Sequence, residues 1–341
     1  MSSSTSSSEA IGAAIAAPGR ATRIALVLLL VLGGVEVLTR LKLVRMSKEF
    51  EQFRSYPRLA AELAHRSGVR VALVGASIVH EDIDPALLAD RLRAATRVPA
   101  HAESFSADHS FVNTWYFMLN HDFWRPGNRV DLVVIPFVGP SLYDHNEIEI
   151  GRLARFFTSV EDWPEVLGTD LATTAERADF LLSNFWASWG ARERMQELVF
   201  TRLFPNYKAY AREQQNLFLA QQFANPRRAR RARSLVALER LLRTAREHAT
   251  PLCFVVFPTQ RADWNGQPYA EARRLIEASG ADYIDLRGGG DVDTSIFADL
   301  VHMNVDGRAL YTRMLADAVA PALGPAPSEA GAAFAAGGAG E

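Results

Sequence analysis

Three stretches of this chain are almost wholly apolar and short: Val69 to Val74, closed by Gly75; Val130 to Val138, left through Gly139 and Pro140; and Leu252 to Phe257. A strand with one face in water alternates polar and apolar residues, whereas a run without alternation belongs to a strand covered on both faces. Between the first two runs, Asp84 and Pro85 form an N-cap and first-turn pair ahead of Leu87, Leu88 and Leu92, which predicts a helix. A weaker strand is expected at Val98 to Glu103, then a helix from Phe111 to His121. After Leu252 to Phe257 the pattern predicts a helix at Tyr269 to Ala278, a strand at Tyr283 to Leu286 and a last helix at Val305 to Ala322. Strands alternating with helices give a parallel sheet with helices on both faces. From about Gly151 to His248 no strand pattern occurs, so a helical insertion is expected between the third and fourth of five strands.

Ahead of this domain lies a second constraint. Ile24 to Leu38 is nearly unbroken Ile, Leu, Val, Ala and Gly, with Glu36 its one charge, and Leu41, Leu43 and Val44 extend it past Arg40 and Lys42. About 20 apolar residues cross a bilayer core, and no small-residue cleavage site follows soon after, so residues 24–44 read as an uncleaved signal anchor. Arginine and lysine flank both ends, and their bias leaves the orientation open. The expected organisation is a disordered tail over 1–23, the anchor over 24–44, a linker or helix over 45–68, one domain over 69–323 and a disordered tail over 324–341. The 37 basic and 39 acidic residues nearly cancel, which argues against a nucleic-acid binder. The one cysteine, Cys253, excludes an intramolecular disulfide and a cysteine zinc site, and its apolar surroundings mark it as a core residue.

Two segments hold residues suited to chemistry. In Val71-Ala-Leu-Val-Gly-Ala-Ser-Ile78 a serine follows the first strand at once, on the edge where open α/β sheets bind ligands. In Phe297-Ala-Asp-Leu-Val-His-Met-Asn-Val-Asp-Gly307, Asp299 precedes His302 by three residues, and Asn304 is a ready N-cap for the last helix. A serine hydroxyl becomes nucleophilic when an imidazole takes its proton, and a carboxylate on the other ring nitrogen sets the tautomer. Either segment alone also has an ordinary explanation, as a turn of small residues or as a surface pair.

Together, their order and context resemble the SGNH (GDSL-type) hydrolase superfamily, across roughly residues 69 to 323. The resemblance implies a flavodoxin-like three-layer sandwich and ester chemistry through an acyl-serine, without metal or cofactor. It also implies a triad of Ser77, His302 and Asp299, with oxyanion donors from Ser77, from Ala107 after strand two and from Ser141 after strand three. Ser141 stands near the place of the family's asparagine. The anchor, that replacement and the large insertion are similar to the members that modify cell-surface polymers, such as the D-alanyl transfer protein and the alginate acetylation proteins. This implies a catalytic domain outside the cytoplasmic membrane, O-acyl transfer or ester hydrolysis on a polysaccharide, and a membrane acyltransferase as a possible partner.

Further candidates surround this core. His80 and His109 are placed to line the same pocket. Phe180, Phe185, Trp186 and Trp189 cluster in the insertion, where aromatic rings serve either as its core or as a platform for sugars. Arg227, Arg228, Arg230, Arg231 and Arg233 form a basic run, read either as a solvated helix face or as a surface for anionic lipid or glycan. The insertion is expected to overhang the carboxyl edge of the sheet. Two further functions remain open at this level: a plain small-ester esterase, and a non-catalytic glycan-binding or scaffold subunit.

Overall fold

The computed structural model describes residues 19–43, 47–144, 149–207, 209–210, 234–265, 269–288 and 293–324. The serine-rich start, the C-terminal tail and the basic run with Arg227 and Arg228 lie outside the described residues.

Five strands form one sheet: β1 (Val69–Gly75), β2 (Ala100–Ser106), β3 (Leu132–Phe137), β4 (Leu252–Val256) and β5 (Asp282–Asp285). All neighbours pair parallel, in the order β2-β1-β3-β4-β5. This is the flavodoxin-like order, with its switch point between β1 and β3. The apolar runs arise because both faces are covered. Ala72, Val74, Val133, Ile135, Phe254 and Val256 share one core with Phe53, Tyr56, Trp115 and Leu241. Val71, Leu73, Val134, Cys253 and Val255 share the other with Leu88, Leu92, Leu315 and Val319.

Side-chain caps start two of the helices that cover these faces, the expected one at Asp84 and a further one at Ser47. Lys48–Ala64 (α2) begins at Ser47, whose hydroxyl accepts from the Phe50 amide, and it buries Phe50, Phe53, Tyr56, Ala60 and Leu63. The stretch expected as linker or helix is therefore a helix packed on the domain. Pro85–Thr96 (α3) is capped by the Asp84 carboxylate, which accepts from the Ala86 and Leu87 amides. Val112–Leu119 (α4) has every residue buried. The edge strand β2 lies two residues later than expected, because its ladder with β1 starts at Ala100 while the Pro99 carbonyl takes the Val69 amide.

The insertion contains no strand among its described residues. Its long helices are Thr174–Phe185 (α5) and Arg192–Leu203 (α6), and Val236–Glu247 (α7) leads back to β4. Phe156 packs at a tilt against Phe50 and Phe53 of α2, with ring centroids 4.9 and 5.4 Å apart. Arg240 of α7 meets the insertion's Asp170 in a bidentate pair at 2.8 and 2.9 Å, beneath the Tyr116 and Phe117 rings. The insertion reaches the carboxyl edge of the sheet through Arg152, which donates to the Asp108 carbonyl and pairs with Glu49. Ser234 and Ala237 also donate to the Asp144 carboxylate in the loop after β3, so among the described residues the insertion touches the carboxyl edge at both places while its neighbouring helices lean on α2 and α4.

The N-terminal helix Arg20–Leu38 (α1) continues through a π-helical turn, Thr39–Leu43. Residues Arg20–Lys42 form one helix with a mean hydropathy of 2.2, long and apolar enough to cross a membrane, and almost none of it is buried in the protein. Ala270–Ala278 (α8) adds Ala272 and Ile276 to the core that α2, α4 and α7 share, and Val305–Val319 (α9) covers the other face of the sheet beside α3.

Candidate active site

The first strand delivers its serine through a tight exit. A Cβ on Gly75 would stand 2.8 Å from Val79 Cγ2 and 3.1 Å from the Pro136 carbonyl, so glycine lets the turn after β1 lie close against β3. Ser77 then starts a short helical turn, Ile78–Glu81. Its carbonyl accepts from the His80 and Glu81 amides. Its hydroxyl makes no cap and faces His302 instead, with Ser77 Oγ 2.8 Å from His302 Nε2.

The histidine loop is shaped by a carboxylate. Asp299 Oδ1 accepts the amides of Val301 and His302, both at 2.8 Å, while Oδ2 lies 2.9 Å from His302 Nδ1. One side chain therefore turns the backbone and holds the imidazole. With Nδ1 carrying its proton toward Asp299, Nε2 is left as an acceptor for the serine hydroxyl. Desolvation raises the Asp299 pKa, but the His302 backbone and side-chain bonds and the Val301 amide outweigh it and lower the group to about 2. Asn304 caps α9 by accepting from the Asp306 and Gly307 amides, as expected.

A residue not singled out in the sequence completes the support. Asp82, fully buried, accepts the Met303 amide at 2.8 Å and so ties the histidine loop to the turn after Ser77. Its second oxygen, Oδ2, has no hydrogen-bond partner among the described residues. Desolvation is the first cause that raises its pKa, to about 7; the Met303 bond and the His302 charge oppose the shift, and Glu81 and Asp299 add to it. An acid whose folded pKa lies above its unfolded value binds its proton more tightly when folded. Its stabilisation is therefore complete below about pH 4 and is lost as pH rises through about 7. Asp82→Asn keeps a carbonyl for the Met303 amide and removes the buried charge. Its Tm should gain on the wild type as pH rises from 5 to 8, by a difference on the order of a few kcal/mol of stability. Equal gaps at both pH values, measured by thermal melts in one detergent, would show that Asp82 does not titrate in this range. The sequence signal was an aspartate five residues past the serine, indistinguishable there from surface acidity.

The remaining candidates divide. His80 lies on the same edge, its Nδ1 3.2 Å from Ser106 Oγ and 3.6 Å from Asp108 Oδ1. His109 sits in a left-handed turn with φ of 53°, and its pKa is lowered by desolvation first and by Arg152 next. The two side donors expected for an oxyanion are engaged elsewhere. The Ala107 amide donates to the Gly75 carbonyl at 3.0 Å. The Ser141 hydroxyl and amide both donate to the Val138 carbonyl, at 2.6 and 3.3 Å. Among the three expected donors, the Ser77 amide is left unengaged. Among the described residues, no hydrogen bond or ring contact joins Trp186 or Trp189 to Ser77, His80, His109 or His302. Phe180 is buried as a core residue, but Phe185, Trp186 and Trp189 are exposed by 67, 49 and 40%. Among the described residues, their polar neighbours are Asp179, Arg192 and the residues that grip the end of α1. Cys253 is a core residue, its thiol pushed up to about 12 by burial first and by Asp282 next.

The fold and site thus define an α/β chain with a serine, a histidine and an aspartate linked in sequence at the carboxyl edge of a parallel sheet. The chain matches no protein-family model and no curated protein sequence. Among solved structures it is similar to a mutant of an acetyl-xylooligosaccharide esterase and to a catalytic mutant of an acetylxylan esterase, both from Geobacillus stearothermophilus. The first has a TM-score of 0.38 and 10% identity, over 76% of this chain and 95% of the other. The second has a TM-score of 0.38 and 11% identity, over 77% and 98%.

Proposed function

We propose that this protein is an SGNH-type serine esterase or O-acyltransferase that works through an acyl-serine, on ester groups of an extracytoplasmic polysaccharide. The observation that carries the chemistry is the unbroken relay from Ser77 Oγ to His302 Nε2 at 2.8 Å and from His302 Nδ1 to Asp299 at 2.9 Å. In the proposed reaction Ser77 Oγ attacks the ester carbonyl while its proton passes to His302 Nε2. The Ser77 amide faces the developing oxyanion. Collapse of the tetrahedral intermediate breaks the bond to the leaving alkoxide, which takes the proton from His302. Water or a sugar hydroxyl then gives its proton to His302 and attacks the acyl-serine, and as the acyl–Oγ bond breaks His302 returns that proton to Ser77 Oγ. The polysaccharide and the location outside the cytoplasm rest on the family resemblance and on the helix Arg20–Lys42.

A second reading is favoured by one observation. With Ala107 and Ser141 engaged, a single backbone donor remains from the expected three, and loss of one such donor costs about 3 kcal/mol of transition-state stabilisation. A non-catalytic glycan-binding or scaffold subunit tolerates that loss. The two readings separate when the full-length protein in detergent is treated with a fluorophosphonate, and its labelled peptide identified by mass spectrometry, alongside acetate release from p-nitrophenyl acetate and from an acetylated polysaccharide. Labelling of Ser77 with acetate release is the expected outcome. A protein that takes no label and releases no acetate is a scaffold.

A further inference from the structure

The end of α1 is gripped by the insertion. Glu36 accepts the amides of Ala187 and Ser188 at 2.8 and 2.9 Å, and the Ser188 hydroxyl at 2.9 Å. Arg40 pairs with Glu36 at 2.6 Å and donates to the Phe185 carbonyl at 3.0 Å. Thr39, fully buried, hydrogen-bonds Val35 and lies 3.8 Å from Met195 Sδ. The apolar helix and the domain are thus joined by a polar clasp placed inside the helix's own hydrophobic stretch, since Val37, Leu38 and Leu41 follow Glu36.

That placement has a consequence in depth. With Arg20 and Arg23 at one interface, the helix from Ile24 to Glu36 spans only about 18 Å at a rise of about 1.5 Å per residue, against a hydrocarbon core of about 30 Å. The clasp therefore falls short of the far headgroups, and the residues that form it must meet lipid. Those residues are built for it. Phe185, Trp186 and Trp189 flank the clasp and are exposed, and α6, which begins just after it, exposes Val199 and Leu203 by 52 and 65% along one side. Tryptophan prefers the headgroup boundary, where its ring is in an apolar medium and its N–H in a wet one.

We infer that Phe185, Trp186 and Trp189 with the exposed side of α6 form a lipid-facing surface that dips from the headgroup boundary into the outer hydrocarbon of the bilayer that α1 crosses, which fixes the tilt of the whole domain. This rests on the reading of Arg20–Lys42 as a membrane span. The test uses full-length protein in phosphatidylcholine nanodiscs whose lipids carry bromine either near the headgroups or near the chain ends. Shallow bromine should quench wild-type tryptophan emission, and Trp186→Phe/Trp189→Phe should lose at least about half of that quenching, because Trp115 and Trp124 are buried and Trp163 and Trp264 are only partly exposed. Adding Val31→Trp to the double variant reports on the span itself, and deep bromine should quench it. If Val31→Trp is quenched while the double substitution changes nothing, the surface faces water, a second copy or another protein, and the inference is overturned with the span intact. If Val31→Trp is not quenched, the span reading falls and the inference falls with it.

Discussion

Ser77→Ala and His302→Ala should each lower acetyl-ester turnover by on the order of 10⁴-fold, and the double substitution should be scarcely worse than either. Non-additivity is expected because the two side chains perform one act: without the base the hydroxyl at 2.8 Å keeps its proton, and without the hydroxyl the base has nothing to activate. Asp299→Asn should cost less, on the order of 10²-fold, although the same change is far more damaging where the aspartate is buried. Here the Asp299 side chain is 58% exposed, so water screens its charge and part of its work is geometric. Its pKa near 2 also places its titration far below neutral pH. The acid limb of the pH–rate profile should therefore persist in Asp299→Asn. Steady-state rates of the single and double variants across pH 4 to 9 check all of this; additive losses, or a limb that disappears with Asp299, contradict a triad acting as one unit.

The largest effect on stability is expected at Asp170. Its side chain is 1% exposed and that of Arg240 4%, and the carboxylate is shared with Asn113 Nδ2 at 3.2 Å. Removing Asp170 leaves Arg240, among the described residues, with Glu165 alone, 3.5 Å away, and breaking a buried pair costs about 3–5 kcal/mol. Asp170→Ala should thus lower Tm by on the order of 10 °C in this chain. Replacing both partners with apolar residues, Asp170→Leu with Arg240→Met, should recover part of the loss, since the Phe117 and Tyr116 rings already line the site while the buried Asn113 amide loses its acceptor. Thermal melts of the three proteins test it. A loss under about 1 kcal/mol for Asp170→Ala would mean that the pair is hydrated and does not tie the insertion to α7.

The sheet was legible in the sequence wherever burial on two faces erased alternation, as in β1, β3 and β4. It was blurred at β2, an edge strand in which five of seven residues are only partly buried and so carry a mixed pattern. Ser77, Asp299 and His302 were legible as candidates from residue identity and from the caps beside them at Asp84 and Asn304, but it was the family resemblance that joined two segments which each had an ordinary explanation alone. The oxyanion donors were not. Whether the Ala107 amide is free depends on where the Gly75 carbonyl lies, and any residue except proline brings the same N–H. Asp82 was hidden for a related reason, since a buried and a surface aspartate read alike until the fold encloses one of them. The surroundings of Trp186 and Trp189 were equally unreadable, because an aromatic cluster suits a core and a sugar platform alike, and contact with a helix some 150 positions earlier in the chain is not written in residue identity.

The sole thiol of this chain, locked in β4 and pushed up to about 12, is protonated and unreachable at the pH of maleimide chemistry. A cysteine placed anywhere on the surface is thus the one group that such a reagent can attach to, with no background to remove. Spin labels, fluorophores and crosslinkers can be set beside Ser77, on α6 or on the far side of α9 one at a time, in the otherwise unaltered protein.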